Sequence, residues 1–311
     1  MVYVADLNGR TDGVAYEMLK KVNSELPIVL VSRVDGFVFN YDLNKLVENK
    51  YVLVDFLEFG WDWDFSEHWW GVNSSDFQFL NTDEYKKFDD FVKRVSPLLT
   101  FKREILKSQL WPTYHSIEYP NFQPEYQIDS KEEYNNRVLS VMNFWGRSSE
   151  YRVQFHGDIW KNASKRGYSV CDNPHYLNPF LSNESGEKWA SFWIPHYCRT
   201  DISNILAVNK LSKLSVSLFG AGTKCFRTTG ESCVNSLMVM QDSDVAYSYE
   251  WEHGVNCLKF SSVQPNMDEL NGFLDRGDLY DIYVNCVQTA NKYRIDRYLS
   301  DYIEPTIKKY L

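Results

Sequence analysis

At 311 residues, with 44% hydrophobic and 16% aromatic content, the chain is long enough for two domains of ordinary size and too apolar for general disorder. Its formal net charge of −9 argues against a general nucleic-acid binder, because neutralising phosphates needs a basic surface, and leaves open a local basic cleft. No apolar run reaches the roughly 18 residues of a transmembrane helix, and the opening MVYVADLNGR reads as strand and turn rather than as a signal peptide, so a soluble, cytoplasmic protein is expected.

The elements follow in chain order. Val2 to Asp6 is a short apolar strand, and Thr11 is placed to cap a helix. Ala15, Met18, Leu19 and Val22 recur at the i, i+3, i+4, i+7 spacing of an amphipathic helix that Pro27 ends. Ile28 to Ser32 is the next strand, Asp42 to Glu48 a short helix, and Tyr51 to Leu57 a third strand. This alternation implies a parallel sheet with right-handed crossovers. The third strand runs into Glu58 and the acidic, aromatic stretch Trp61-Asp62-Trp63-Asp64, which would stand at the carboxyl end of the sheet, where ligands of open α/β folds lie. Asp83 to Val95 is helical by period, and Leu98 to Phe101 is a strand followed by Lys102-Arg103-Glu104. Pro112 to Pro124, with three prolines and three aromatics, reads as a linker.

A second α/β series follows. Val138 to Phe144 is a strand, Gly146-Arg147 a turn, and Ser148 starts a helix running to about Arg166. Tyr168 to Cys171 reads as a strand, Asp172 to Gly186 as a long loop, and Asp201 to Ser212 as a helix. Leu214 to Phe219 forms a buried parallel strand, after which Gly220 and Gly222 let the backbone turn tightly beside a ligand. Lys224 and Arg227 place positive charge where phosphates would sit. Ser236 to Met240 is another strand, and Met267 to Arg276, Leu279 to Tyr293 and Ile295 to Lys309 are helical segments. Six scattered cysteines without a CxxC pair read as free thiols rather than disulfides or zinc ligands. The 10 Trp, 21 Tyr and 19 Phe suit core packing, and also stacking on sugar rings and bases.

From Arg227 to Phe260 the pattern resembles the donor-binding half of a GT-B glycosyltransferase, closest to the exostosin-like and group 1 glycosyltransferase families. The quoted elements are the strand ending at Gly220, Lys224 and Arg227, Glu231, the strand Ser236 to Met240, and His253-Gly254-Val255-Asn256-Cys257-Leu258-Lys259-Phe260. Gly146-Arg147 resembles the first loop of that half-domain, and Phe101-Lys102-Arg103-Glu104 resembles an element ahead of the linker in exostosin-like sequences. Arg227 and Glu231 stand four apart where the exostosin-like pattern is R-x-x-E, and Thr223 falls where group 1 enzymes carry the first Glu of their E-x7-E pattern.

The resemblance implies two Rossmann-like domains facing across a cleft: 1–130 for the acceptor, 131–293 for the nucleotide-sugar, and a C-terminal helix, 294–311, packing back on the first domain. It implies transfer of a sugar from a UDP- or GDP-linked donor to a hydroxyl of a glycan or other acceptor, with no cofactor and no metal. Donor contacts would come from Arg147, Gly220, Gly222, Lys224, Arg227, Glu231, Gly254 and Asn256. Cations serve there because the departing diphosphate carries negative charge. Glu231 could hold the ribose hydroxyls, yet Thr228-Thr229-Gly230-Glu231 is also a helix capping box. The acceptor hydroxyl needs a general base, for which Glu58, Asp12 and Asp62 are the candidates. Asp62-Trp63-Asp64 is alternatively a metal site of a different transferase fold. Two other readings stay open: sugar transfer to hydroxymethylated bases in DNA, which the net charge disfavours, and a carbohydrate- or nucleotide-binding protein without catalysis.

Overall fold

Short runs of β-branched and aliphatic residues build the first sheet. The computed structural model describes residues 2–5, 13–31, 50–56, 89–90, 92–103, 105, 107, 114–122, 124–145, 154–155, 157–158, 165–168, 179–182, 188–193, 209–218, 224, 235–261 and 265–311. Val2–Ala5 (β1), Ile28–Val31 (β2), Val52–Asp55 (β3), Leu99–Lys102 (β4) and Tyr114–Ser116 (β5) pair in chain order, all parallel. All four residues of β3 and of β4 are buried, as expected of parallel strands covered on both faces. The helix Gly13–Leu19 (α1) follows β1 and buries Ala15, Met18 and Leu19.

The segment that reads as a linker contributes β5. Its three residues are too short to show a period among prolines, and pairing of Thr100 with Tyr114 and of Lys102 with Ser116 makes it a strand. The helix Lys131–Asn135 (α2) follows, started by a full capping box between Ser130 and Glu133.

Among the described residues the second sheet has seven strands. They are Leu139–Trp145 (β6), Lys165–Tyr168 (β7), Pro179–Ser182 (β8), Lys188–Trp193 (β9), Ser212–Ser217 (β10), Leu237–Gln241 (β11) and Leu258–Phe260 (β12). Their order is β12-β11-β10-β6-β9-β8-β7, with β12 through β9 parallel and β8 antiparallel to both β9 and β7. Three expectations change here. Lys165–Tyr168 is a strand where a helix was expected to run to about Arg166, residues 169–171 lying outside the described residues; the long loop contains β8; and β9 enters between β8 and β6. Both additions owe their strand state to pairing with neighbours rather than to a local period.

Three helical stretches close the chain. Met267–Leu274 (α3) is capped by Asn266, whose side chain accepts from the Glu269 amide at 2.8 Å. Leu279–Lys292 (α4) turns Leu279, Ile282, Tyr283, Cys286, Val287 and Ala290 inward, and packs on β11. Ile295–Tyr298 (α5) leads into a π-helical turn, Leu299–Ile303, and then Glu304–Lys308 (α6). The wide turn precedes Pro305, which has no N–H to donate and whose ring would crowd the carbonyl a turn earlier; the Glu304 amide instead reaches back to the Leu299 carbonyl. These last helices touch residues of the first sheet and its helix. Glu304 accepts from the Asn23 amide at 2.9 Å, and His115 and Tyr310 share a hydrogen bond of 2.8 Å. Asn121 exchanges backbone bonds with Tyr293 and Ile295 at 2.7 and 2.9 Å. Among the described residues no helix is long and apolar enough to cross a membrane.

Leu214 is fully buried in β10 between two parallel neighbours. Leu214→Ala should lower the unfolding free energy by about 2–5 kcal/mol, read from the denaturant midpoint, whereas Val255→Ala at an exposed position should stay within about 0.5 kcal/mol of the parent.

Candidate active site

Register places charge at the carboxyl end of the first sheet. Asp55 ends β3, Lys102 ends β4 and Ser116 ends β5, and the parallel pairing sets Asp55 beside Lys102 and Lys102 beside Ser116. Lys102 Nζ donates to Asp55 Oδ2 at 2.7 Å, with both side chains buried. Arg103 follows immediately and is fully buried. Its guanidinium carbon stands 4.1 Å from the centroid of the Tyr119 ring, Nη1 donates to the Tyr119 hydroxyl at 3.0 Å, and Nη2 donates to the Lys224 carbonyl oxygen.

The second sheet meets this edge from its own carboxyl end. Lys224, seven residues beyond the end of β10, is 1% exposed. Its ammonium donates to Glu118 Oε1 at 2.6 Å and to the Ser116 hydroxyl, and lies 5.0 Å over the Tyr247 ring. Glu118 stands two residues beyond β5 and is fully buried. Ser116 Oγ lies 2.6 Å from the same Oε1, and the Ser248 amide reaches both carboxylate oxygens at 3.2 Å. The Ser248 hydroxyl and the Tyr298 hydroxyl, the latter at 3.0 Å, donate to Oε2. Backbone bonds of 2.8 Å from Lys107 to Asp244 and from Ala246 to Ile105 stitch the segments after β4 and β11 together.

A buried carboxylate with an ammonium and several hydroxyl and amide donors is fully solvated by protein, which is the condition under which a buried ion pair is tolerated. The phenols around it remain protonated well above neutral pH. Burial first, then the Glu118 charge, pushes Tyr298 and Tyr293 far up, and burial with the charges of Asp301 and Glu118 pushes Tyr249 up to about 12. Protonated phenols donate, so they suit a carboxylate partner. Among the described residues the buried side chains of Lys102, Arg103 and Lys224 and the buried carboxylates of Asp55 and Glu118 gather here.

Of the residues singled out by sequence, Lys224 belongs to this junction, held on Glu118. Gly254 and Asn256 stand apart from it, ahead of the amino end of β12. Gly254 adopts φ +76°, which a side chain rarely tolerates, and faces Arg276. Asn256 clasps its loop: Oδ1 accepts from the Glu252 amide at 2.7 Å, and Nδ2 donates to the Glu250 carbonyl at 2.9 Å and to Thr289 at 3.1 Å. His253 accepts from the Lys259 amide at 2.9 Å, so it too shapes that turn. Asp12, Glu58, Asp62, Arg147, Gly220, Gly222, Arg227 and Glu231 lie outside the described residues, as does Asp64. Among the described residues no group of three His, Cys, Asp or Glu could hold a metal ion. Sequence reasoning missed Glu118, Ser116, Ser248, Tyr298 and Asp55. Asp55 carried a signal, a carboxylate inside a predicted apolar strand; Glu118 was hidden in the apparent linker.

No protein-family model and no curated protein matches this chain. Among solved structures it is similar to a chain in a crystal structure of the GtfA/B complex, at 12% identity with a TM-score of 0.41. The match covers 96% of this chain and 60% of that one, so the chain spans about 60% of the length of that neighbour.

Glu118→Gln leaves the Lys224 ammonium buried without its carboxylate, and Lys224→Met strands the carboxylate; each should cost about 3–5 kcal/mol of stability. The double variant should cost clearly less than the sum, as a denaturation double-mutant cycle would show. The unfolded chain ionises its phenols near pH 10, whereas the fold pushes Tyr249 up to about 12 and raises Tyr293 and Tyr298 well above their ordinary value. The stability they supply is therefore fully present below about pH 10 and is lost as pH rises through about 12. Melting temperature followed with tyrosinate absorbance should fall over that window.

Proposed function

We propose that this protein transfers a sugar from a nucleotide-sugar donor to a hydroxyl of a glycan or similar acceptor, on two Rossmann-like domains of GT-B type. The observation that carries the reading is the meeting of strand carboxyl ends: β3, β4 and β5 of one parallel sheet present Asp55, Lys102, Arg103 and Glu118 to the segments that follow β10 and β11 of the other. Ligands of open α/β sheets lie beyond the carboxyl ends of the strands, so a reaction needing two substrates has a natural seat between two such edges. The sequence resemblance from Arg227 to Phe260 supports the same reading.

In this proposal the departing nucleotide diphosphate is stabilised by cations rather than by a metal. Arg147 and Arg227 meet the phosphates, and Lys102, Arg103 and Lys224 set the positive potential of the junction behind them. Lys224 acts from its place on Glu118 rather than by direct contact, and Gly254 and Asn256 shape a supporting loop. Glu231 accepts the ribose hydroxyls, and Glu58, Asp12 or Asp62 takes the proton of the acceptor hydroxyl as it attacks the anomeric carbon.

Binding of UDP or GDP should raise the melting temperature. Arg227→Ala and Glu231→Ala should each weaken that nucleotide about tenfold or more, since each removes a charged hydrogen-bond partner. A Glu231→Ala variant that loses stability with affinity intact would assign Glu231 to helix capping. A panel of nucleotides without any thermal shift, together with a panel of nucleotide sugars left unhydrolysed, would sink the proposal.

A further inference from the structure

The amino ends of β6 and β10 carry a second basic feature, remote from the junction. A cavity of about 190 Å³ opens between α2, the starts of these two strands and the α3–α4 connection. Lys131 enters from α2, Lys213 from β10 and Arg276 from the connection; Asn135, Ser140 and Tyr280 add uncharged polar groups, and no carboxylate lines the space. Three cations converging without a lining carboxylate are unusual in a chain of net charge −9.

Of the three cations, Arg276 is ion-paired with the exposed carboxylate of Asp278 at 2.7 Å. Lys131 and Lys213 form no ion pair among the described residues, and the Lys131 ammonium stands 6.0 Å over the Tyr280 ring. The Tyr280 hydroxyl is fixed by donating to the Asp129 carbonyl at 3.1 Å. Arg276 Nε and Nη2 donate to Asp278 at 2.9 and 2.7 Å, which orients the guanidinium. The Tyr134 hydroxyl donates to the Lys213 carbonyl at 3.2 Å, and its ring stacks on Tyr283 at 4.5 Å, so α2, β10 and α4 are tied around the cavity. A frame ordered in advance lowers the cost of binding.

We propose that this cavity binds the phosphate group of a small soluble ligand. At about 30 Å³ per water the space holds roughly six waters, which fits a phosphoryl group with its first hydration partners. It falls below the roughly 300–1,000 Å³ of sites that enclose larger ligands, so a phosphate-sized group is what it can enclose. Two ammonium groups and an oriented guanidinium supply the charge-assisted donors that a phosphate dianion takes. The site is independent of the sugar-transfer reading, because it lies at the opposite ends of the strands from Lys224 and Glu118.

Calorimetric titration of the full chain with inorganic phosphate, at ionic strength fixed with chloride, tests it. One-site binding is expected, weakened about tenfold or more in K131Q/K213Q with the denaturant midpoint unchanged, and recovered in K131R/K213R. Arg227→Ala, in the proposed donor site, should bind phosphate as the parent does. No phosphate binding by the parent, equal binding by K131Q/K213Q, or binding that falls with Arg227→Ala would each overturn the assignment, the last by placing the anion at the donor site.

Discussion

The Lys224–Glu118 ion pair is the constraint on which the arrangement of the two sheets depends. A lysine ammonium and a carboxylate, both almost wholly removed from water, are tolerable only when every lone pair and proton finds a partner. Those partners come from four separate parts of the chain: Ser116 at the end of β5, the loop carrying Lys224, Ser248 after β11, and Tyr298 in the last helical stretch. Satisfying one carboxylate therefore fixes where the second sheet and the C-terminal helices meet the first sheet. Apolar burial alone would permit sliding; a buried charge does not, because any shift leaves it unsolvated.

The C-terminal stretch is adapted to that demand. The π-helical turn before Pro305 lets the helix continue past a residue that cannot donate, and Tyr298 and Tyr302 stack with ring centroids 5.5 Å apart. Their hydroxyls then reach Glu118 and the Ser116 carbonyl, the latter at 2.9 Å. Part of the abundant tyrosine of this chain thus serves to bring a hydroxyl into an apolar interior on a large ring, contributing packing and a hydrogen-bond donor together.

The second sheet presents different chemistry at its two ends. Beyond its carboxyl ends, cations and carboxylates are interleaved and buried, which suits a junction that must exclude water. At its amino ends, Lys131, Lys213 and an Arg276 held by Asp278 line a small open cavity, which suits an exchangeable anion. Between them, the β11–β12 connection is pinned by Gly254 in a left-handed turn and by Asn256, whose amide is spent on its own loop and on Thr289.

The sequence by itself determined the alternation of strands and helices, because each buried segment repeats its apolar residues at the period of its own element. That is why β1 to β4, β6, β10, β11 and the inward face of α4 were legible from spacing, and why Lys102, Arg103 and Lys224 stood out as cations near strand ends. Only the tertiary structure decided that Tyr114–Ser116, Pro179–Ser182 and Lys188–Trp193 are strands, since a short strand owes its state to hydrogen bonds with neighbours distant in sequence. It also decided the fate of Lys224, because a lysine in a glycine-rich turn looks the same whether it meets a phosphate or a carboxylate. Its partner Glu118 lies 106 residues away, and no local pattern encodes a pairing across that distance.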